Sequence, residues 1–159
     1  MAQINNTNRN SSPSGAEGLH HPTFIIIDLF CGAGGTTTGF IQANYEGRNI
    51  AKVIACVNHD AKAIQSHWMN HPEVKHFEED IRTLELTELI ALAKYWKDIY
   101  PDAYLVLWAS LECTNFSKAK GGQPRDADSR TLADHLFRYI ESLDPDYVQI
   151  ENVVEFMSW

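Results

Sequence analysis

Short apolar runs alternate with segments of helical periodicity along the chain from Thr23 onward. Runs of this length are typical of strands, and a continuous run such as 24–27 is expected where both faces of a strand are covered. We predict five strands, which contain residues 24–27, 53–57, 76–77, 104–108 and 147–150. Because a helical pattern separates successive runs, the order predicts an α/β fold with a doubly wound, mostly parallel sheet and right-handed crossovers.

Start and stop residues bound the predicted helices. Thr36 or Thr37 is expected to cap the first helix and Asp60 the second, which ends before Pro72. The apolar residues of the last three helices recur at helical spacing: Ala61, Ile64 and Trp68; Leu86, Leu89, Ile90, Ala93 and Trp96; Leu132, Leu136, Ile140 and Leu143. This spacing predicts that Trp68 and Trp96 lie in the core.

Composition and charge limit the class of protein. Residues 1–22 are rich in Asn, Ser, Gly and Pro, so we predict a flexible leader before one domain over 23–159. The net charge of −8 argues against a protein that coats DNA non-specifically, because phosphate binding needs clustered Lys and Arg, although a local basic patch stays compatible with it. Three cysteines without C-x-x-C spacing exclude a disulfide framework, and with no signal peptide in view we expect a reducing cytoplasm. The longest apolar stretches are strand-sized, so we expect no membrane span.

A glycine-rich loop follows the first strand, at a place where such folds bind ligands. In doubly wound sheets, ligands lie beyond the carboxyl ends of the strands. The loop Asp28–Gly35 holds three glycines, which let the backbone approach a ligand and expose amides at a helix start. It is not the dinucleotide fingerprint, because Thr37 stands where the third glycine is required. A tight strand-to-helix turn without a ligand is the alternative.

Two further loci carry candidate catalytic side chains. Cys113 follows a buried strand and enters a polar loop, which suits a nucleophile, although its thiol needs a positive partner and Glu112 opposes ionisation. Glu151 ends a strand that we take as central, and an acid there is suited to donate a proton to a ring nitrogen. Asn152 supports the alternative of a helix cap. Cys56 is expected to be a buried core residue.

Other polar clusters are weaker. Asp80, at the end of the third strand, is placed to accept a hydrogen bond from the exocyclic amine of an adenine. The alternative is a carboxylate that caps a helix or is solvated. His67, His71 and His76 suggest a metal site, yet no cysteine or carboxylate at suitable spacing completes a tetrahedral set. We therefore expect surface histidines and no metal. For Cys31 we expect packing within its loop.

Five motifs in this order resemble the DNA (cytosine-5) methyltransferase family. They are Asp28–Gly35, Asp80-Ile81, Cys113–Ser117, Asp128–Arg130 and Glu151–Val153, and the resemblance runs from Phe24 to the last residue. It implies a Rossmann-like fold and S-adenosylmethionine as cofactor, bound by Asp28, Phe30, Gly32, Gly34, Gly35, Asn58, Asp60, Asp80 and Ile81. It also implies catalytic roles for Cys113, Glu151 and Asn152. The sequence departs from the family pattern with Glu112 for Pro, Thr114 for Gln and Asn58 for an acidic residue.

The resemblance also implies a reaction and a partner. Cys113 would add to C6 of a cytosine flipped out of double-stranded DNA while Glu151 hydrogen-bonds N3, so that C5 accepts the methyl group. The loop residues Ser117, Lys118, Lys120, Arg125 and Arg130 are expected to contact DNA, because the four cations against Asp126 and Asp128 give this loop 4 − 2 = +2. An ordinary solvated loop is the alternative. The family's target recognition domain is absent, so we expect a truncated enzyme of restriction–modification or phage type. The alternatives are a non-catalytic remnant, a split half that needs a C-terminal partner chain, and a tRNA cytosine methyltransferase.

Overall fold

A computed structural model of the chain describes residues 21–111 and 128–153, without the side chains of 128–133. The described residues form seven strands and four helices. In chain order they are β1 (Phe24–Leu29), α1 (Gly35–Gln42), β2 (Asn44–Tyr45), β3 (Arg48–Asn49), β4 (Ala51–Asn58), α2 (Ala61–Asn70), β5 (Lys75–Glu78), α3 (Thr87–Ile99), β6 (Tyr104–Ser110), α4 (Asp128–Leu143) and β7 (Tyr147–Glu151). Among these helices, none has both the length and the apolar character needed to cross a bilayer.

Five strands form one parallel sheet in the order β5-β4-β1-β6-β7. The predicted doubly wound, parallel α/β fold is therefore confirmed. β2 and β3 form a separate two-stranded antiparallel hairpin, which we did not predict because its side chains are exposed and lack an apolar alternation. β7 pairs only with β6 and lies at the edge of the described sheet, so its placement as a central strand was wrong.

The two faces of the sheet carry separate apolar cores. Alternate residues of β1, among them Ile25 and Ile27, pack with residues of α3 and α4 on one face. Ile26 packs on the other face, where Ile64 of α2 also lies. Both faces of β1 are buried, as its continuous apolar run predicted.

An irregularity in β4 changes which side chains share a face. The pairing of β4 with β1 shifts by one residue, because Ile26 pairs with Val53 whereas Ile27 pairs with Ala55. An extra residue in one strand reverses the in-and-out alternation beyond it. Cys56 consequently pairs with Asp28 and faces the α1 and α2 side.

The predicted helix positions are partly correct. Asp60 caps α2, because its Oδ1 accepts from the backbone nitrogens of Lys62 (2.8 Å) and Ala63 (3.2 Å). Neither Thr36 nor Thr37 caps α1: the N-cap is Gly34, without a side-chain hydrogen bond. Trp68 was placed wrongly in the core, since it is 57% exposed, whereas Trp96 is partly buried against the core.

Candidate functional site

The glycine loop lies at the switch point of the sheet. Chain connections run from β1 towards β4 and β5 on one side, while β6 and β7 lie on the other. Crevices for ligands form beyond the carboxyl ends of the strands at such a point. The loop that leaves β1 at this point contains positive φ angles at Phe30 (59°), Gly32 (52°) and Gly34 (99°), and Gly35 begins α1.

Gly34 fits the loop tightly against α2. A Cβ atom there would lie 2.9 Å from Cδ2 of His71 and 3.1 Å from Cδ2 of His67, and its φ of 99° also disfavours a side chain. At Gly32 and Gly35, by contrast, a Cβ would meet nothing within 4 Å. The loop is therefore packed on one side and open on the other, so backbone atoms are available to a ligand.

Asp28 supports this loop from inside the protein. Its carboxylate is fully buried, and Oδ2 accepts a hydrogen bond of 2.9 Å from the hydroxyl of Thr37, while Oδ1 has no partner among the described residues. Burial raises the pKa of Asp28 to about 7, although the hydrogen bond from Thr37 acts in the opposite direction.

The carboxyl end of β4 presents an exposed acid. Asn58 Oδ1 accepts from the backbone nitrogen of Asp60 at 2.9 Å, which fixes the turn into α2. The Asp60 side chain is exposed, and hydrogen bonds from the backbone of Ala63 and Lys62 lower its pKa. Asp60 is therefore an ionised carboxylate at the strand end, suited to accept hydrogen bonds from a ligand hydroxyl.

The turn after β5 is held by an ion pair. Arg82 Nη2 lies 2.6 Å from Asp80 Oδ2, and Arg82 Nε is 3.0 Å from Asp80 Oδ1. These hydrogen bonds lower the pKa of Asp80. Ile81 is buried, so its side chain anchors the turn in the core.

Two residues of α4, which the sequence motifs did not indicate, fix the same turn. Arg138 donates to the backbone oxygens of Ile81, Arg82 and Leu84 at 3.2, 2.7 and 2.8 Å. The buried Tyr139 hydroxyl donates to the oxygen of Ile81 at 2.9 Å, and burial raises the pKa of this phenol to about 12. Burial of Tyr139 at helical spacing was the available signal, whereas nothing local marked Arg138.

The second half of the candidate site is described only in part. Glu151 ends β7 opposite Ser110 of β6, and its backbone oxygen accepts from the nitrogen of Leu111 at 3.2 Å. Asn152 Oδ1 accepts from the nitrogen of Val153 at 2.7 Å. Cys113, Ser117, Lys118, Lys120 and Arg125 lie outside the described residues, and Arg130 lies in α4 without a described side chain.

The histidines are not on the surface as expected. His67 and His71 are buried, and His76 is half-buried. His67 Nδ1 lies 2.8 Å from His76 Nε2 and 3.7 Å from Cys56 Sγ. Cys31 is buried in its loop, as expected, and its sulfur, that of Cys56 and a nitrogen of His67 lie within 4.8 Å of one another. The sequence showed no cysteine at a suitable spacing from these histidines. In the folded chain, Cys31 and Cys56 come close to His67 from other parts of the sequence.

A doubly wound sheet with a glycine loop at its switch point and acids at the neighbouring strand ends is typical of cofactor-binding α/β proteins. A family model of C-5 cytosine-specific DNA methylases matches residues 24–158. The chain belongs to this family, which confirms the resemblance that the five motifs indicated.

Type II methyltransferases are among the proteins that the chain resembles. It is similar to the Type II methyltransferase M.AgeI of Thalassovita gelatinovora, with 31% identity over 133 residues, 83% of this chain and 28% of that protein. M.DdeI of Desulfomicrobium norvegicum is 29% identical over 84% of this chain and 28% of its own length. The chain thus spans less than a third of either relative, whereas it covers 88% of M.HgiGI of Herpetosiphon aurantiacus at 28% identity.

Solved structures agree with the fold. A crystal structure described as a DNA modification methyltransferase encoded within an E. coli prophage is 28% identical, with a TM-score of 0.60 over 84% of this chain and 33% of that chain. A DNMT2 mutant from Spodoptera frugiperda has a TM-score of 0.58 over 86% of this chain and 37% of that chain, and at 21% identity it shows the fold alone.

Proposed function

We propose that the chain is the cofactor-binding and catalytic part of a DNA cytosine-5 methyltransferase. The observation that carries this proposal is the order of strand ends: the glycine loop leaves β1, Cys113 follows β6 in the chain, and Glu151 ends β7, and these three strands are neighbours in the sheet. Names of relatives support a modification enzyme of restriction–modification or phage type. We further propose that it acts in the cytoplasm.

The described residues fit S-adenosylmethionine. Gly32 and Gly35 leave open space above the loop, and the exposed Asp60 lies at the next strand end, where a ribose needs an acceptor. Asp80 keeps an ionised carboxylate for the adenine amine, and Phe30 and Asn58 border the same edge. When bound, the cofactor supplies an electrophilic methyl group on a sulfonium centre. The buried Asp28 accepts a hydrogen bond from Thr37, and we propose that this contact helps to fix the conformation of the loop.

The proposed reaction uses covalent catalysis. The Cys113 thiolate forms a bond to C6 of the flipped cytosine, while Glu151 gives a proton or hydrogen bond to N3, so that electrons move to C5. C5 would then bond to the methyl carbon as the bond from that carbon to the sulfonium sulfur breaks, which would leave the cofactor as a neutral thioether. A base removes the proton from C5, the C6–S bond breaks, and Cys113 leaves as thiolate. Asn152 is proposed to orient Glu151.

Two partners belong to this proposal. Double-stranded DNA would contact Ser117, Lys118, Lys120, Arg125 and Arg130. Their segment carries a net positive charge in a chain whose net charge is negative. A complementing chain would supply what the longer relatives have beyond this match. The apolar edge at β7 supports such a partner, because Tyr147, Val148 and Ile150 are exposed there.

A covalent trap tests the catalytic proposal. DNA that carries 5-fluorocytosine should form a lasting adduct in the presence of S-adenosylmethionine, because C5 then bears fluorine in place of the proton that must leave. We expect peptide mapping to find the adduct on Cys113, Cys113→Ser to abolish it, and Glu151→Gln to slow it by about 100-fold. The assay uses the chain alone and with the unmatched part of M.AgeI added.

The controls separate the alternatives. DNA with ordinary cytosine should give no lasting adduct, and calorimetry with S-adenosylmethionine should give one binding site in wild type and in Cys113→Ser. No adduct under either condition, in a chain that still binds the cofactor, would leave the non-catalytic remnant as the correct description. A fluorinated tRNA trapped in preference to DNA would instead support the tRNA enzyme.

A further inference from the structure

Two thiols and two imidazoles from four different segments converge beneath the glycine loop. Cys31 comes from the loop itself, Cys56 from β4, His67 from α2 and His76 from β5. Cys31 Sγ, Cys56 Sγ and a ring nitrogen of His67 lie within 4.8 Å of one another, and His76 Nε2 is 2.8 Å from His67 Nδ1. Soft sulfur and nitrogen donors in such a group are the ligand set that zinc prefers.

Hydrogen bonds behind the cluster orient His67 as a ligand. The Thr37 hydroxyl donates its proton to Asp28 Oδ2, so the contact of 3.0 Å between Thr37 Oγ1 and His67 Nε2 requires that Nε2 carry the donating hydrogen. The lone pair is then on Nδ1, which faces Cys56 and His76. His67 is thus linked to Asp28 through the Thr37 hydroxyl, and a hydrogen bond from the second ring nitrogen is a regular feature of histidines that bind metals.

One lone pair on His67 Nδ1 has too many neighbours for hydrogen bonding alone. Cys56 Sγ at 3.7 Å and His76 Nε2 at 2.8 Å both face it, and it accepts from only one of them. A metal ion gives each of these atoms its own bond. In a tetrahedral zinc site, sulfur and nitrogen ligands lie about 3.6 Å apart and two nitrogens about 3.3 Å apart. His67 Nδ1 and His76 Nε2 therefore need to separate by about 0.5 Å to admit the ion. The His76 ring must also turn towards the two sulfurs, because the donors that lie within 4.8 Å of one another are those of Cys31, Cys56 and His67.

We propose that Cys31, Cys56, His67 and His76 form a tetrahedral Zn²⁺ site that ties the glycine loop to β4, α2 and β5. Binding of Zn²⁺ by two thiols and two neutral imidazoles releases two protons, one from each sulfur, and leaves a site without net charge. A neutral site suits this interior, where Cys31, Cys56 and His67 are buried. The half-buried His76 gives the ion its access to solvent.

The protonation states agree with this chemistry. Burial lowers the pKa of His67 to about 4, so its imidazole is neutral and ready to bind a metal near pH 7. The hydrogen bond with Cys31, together with burial, raises the pKa of Cys56, so this thiol keeps its proton in the metal-free cluster. Because two protons leave, the affinity for zinc rises with pH while the free thiols stay protonated.

Cobalt binding to the whole chain tests the site. The protein is reduced with a phosphine, its three thiols are counted on an unfolded sample, and the metal-free chain is titrated with Co²⁺ alone. We expect one Co²⁺ per chain, with the visible bands of tetrahedral cobalt, a thiolate-to-cobalt charge-transfer band, and displacement of both by one equivalent of Zn²⁺.

Variants assign the ligands. Cys56→Ser and His76→Gln should each weaken binding by at least about 100-fold, and Thr37→Val by about 10- to 100-fold, because it removes the support behind His67. His59→Gln, at an exposed histidine, should bind as wild type does. His76 is only half-buried, so its variant keeps the test usable if Cys56→Ser does not fold. Absence of the bands in the reduced wild-type chain, or equal affinity in His76→Gln, would overturn the proposal.

Discussion

The buried carboxyl of Asp28 makes the free energy of unfolding depend on pH. In the folded chain its pKa is raised from 3.8 to about 7, so the folded state holds a proton that the unfolded state has already lost between these values. The unfolded state then binds fewer protons, and the stability that this group contributes falls as pH rises from about 4 to about 7. Above that range the cost of the buried charge is complete and constant.

We expect Asp28→Asn to remove this pH dependence. The amide keeps the size of the side chain and an acceptor for Thr37 but does not ionise. Urea unfolding of metal-free protein between pH 4 and 8 should show that wild type loses up to about 4 kcal/mol relative to the variant as pH rises through this range. The difference isolates this carboxyl, because the other groups titrate in both chains.

The exposed Asp102 provides the control. Asp102→Asn should follow wild type at every pH. A constant difference between wild type and Asp28→Asn from pH 4 to 8 would mean that the Asp28 pKa is not raised.

At the scale of single residues, the sequence indicated local roles better than long-range ones. Asp60 was predicted as a helix cap because capping depends on the next three residues alone. The burial of His67 beside Cys56 was missed, because it follows from the register shift in β4 that turns Cys56 towards α2. No pattern within β4 itself marks that shift, so the expectation of surface histidines was wrong.

At the scale of elements, α4 and the turn after β5 behave as one unit. Arg138 donates to three backbone oxygens of this turn, and Tyr139 donates to one of them. The turn has its own hydrogen bonds, such as that from the nitrogen of Leu84 to the oxygen of Asp80 at 2.9 Å. α4 therefore positions Asp80 and Ile81, which we propose bind adenine.

We expect Arg138→Met to loosen this turn. The thioether keeps much of the aliphatic packing but removes the Arg138 donor from three carbonyl oxygens, of which that of Ile81 keeps the Tyr139 hydroxyl. This loss should destabilise the fold by about 2 kcal/mol. Hydrogen exchange at residues 81–84 should accelerate, and affinity for S-adenosylmethionine should fall about 10-fold.

Arg48→Met is the matched control, since the pair that the described residues give Arg48 is with Glu46, at 3.6 Å across the exposed hairpin end. It should change neither exchange at 81–84 nor cofactor affinity. Unchanged hydrogen exchange at residues 81–84 in Arg138→Met would show that Arg138 does not stabilise this turn.

The order of the elements was predictable where burial alone determines it. Continuous apolar runs identified β1, β4 and β6, because both faces of a central strand are covered. β5 and β7, at the edges of the described sheet, were predicted from a shorter run and from a run interrupted by Gln149. The position of β7 was not predictable in this way. All five of its residues are exposed in the described structure, yet Val148 and Ile150 give it the apolar pattern of an inner strand. An apolar pattern of this kind suits a strand whose faces are covered by other side chains, and the described residues do not cover β7 in this way.

At the scale of the whole molecule, the edge of the sheet at β7 exposes apolar side chains to solvent. A cavity of about 400 Å³ opens there, lined by residues of β1, α1, β6 and β7, among them Phe40, Trp108 and Val148. Exposed contiguous apolar surface at a free strand edge promotes association. The chain also spans less than a third of M.AgeI, whose remaining length would be available to cover such a surface.

We expect the chain alone to bind a hydrophobic dye and to self-associate with increasing concentration. Val148→Lys should reduce dye fluorescence by about half and shift the sedimentation profile towards monomer, because a charge at a strand edge opposes pairing. Tyr95→Lys, at an exposed aromatic residue of α3, is the control and should have neither effect. Equal self-association in all three chains would show that β7 is not the associating edge.

The register shift in β4 has a genetic consequence. Loss of the single codon for Ile54 would remove the extra residue and restore regular pairing with β1, while every later side chain of the strand keeps its face. Cys56 would still lie opposite Asp28 on the side of α2. At this one position β4 can therefore lose a codon without the reversal of faces that the same deletion would cause in a regular strand.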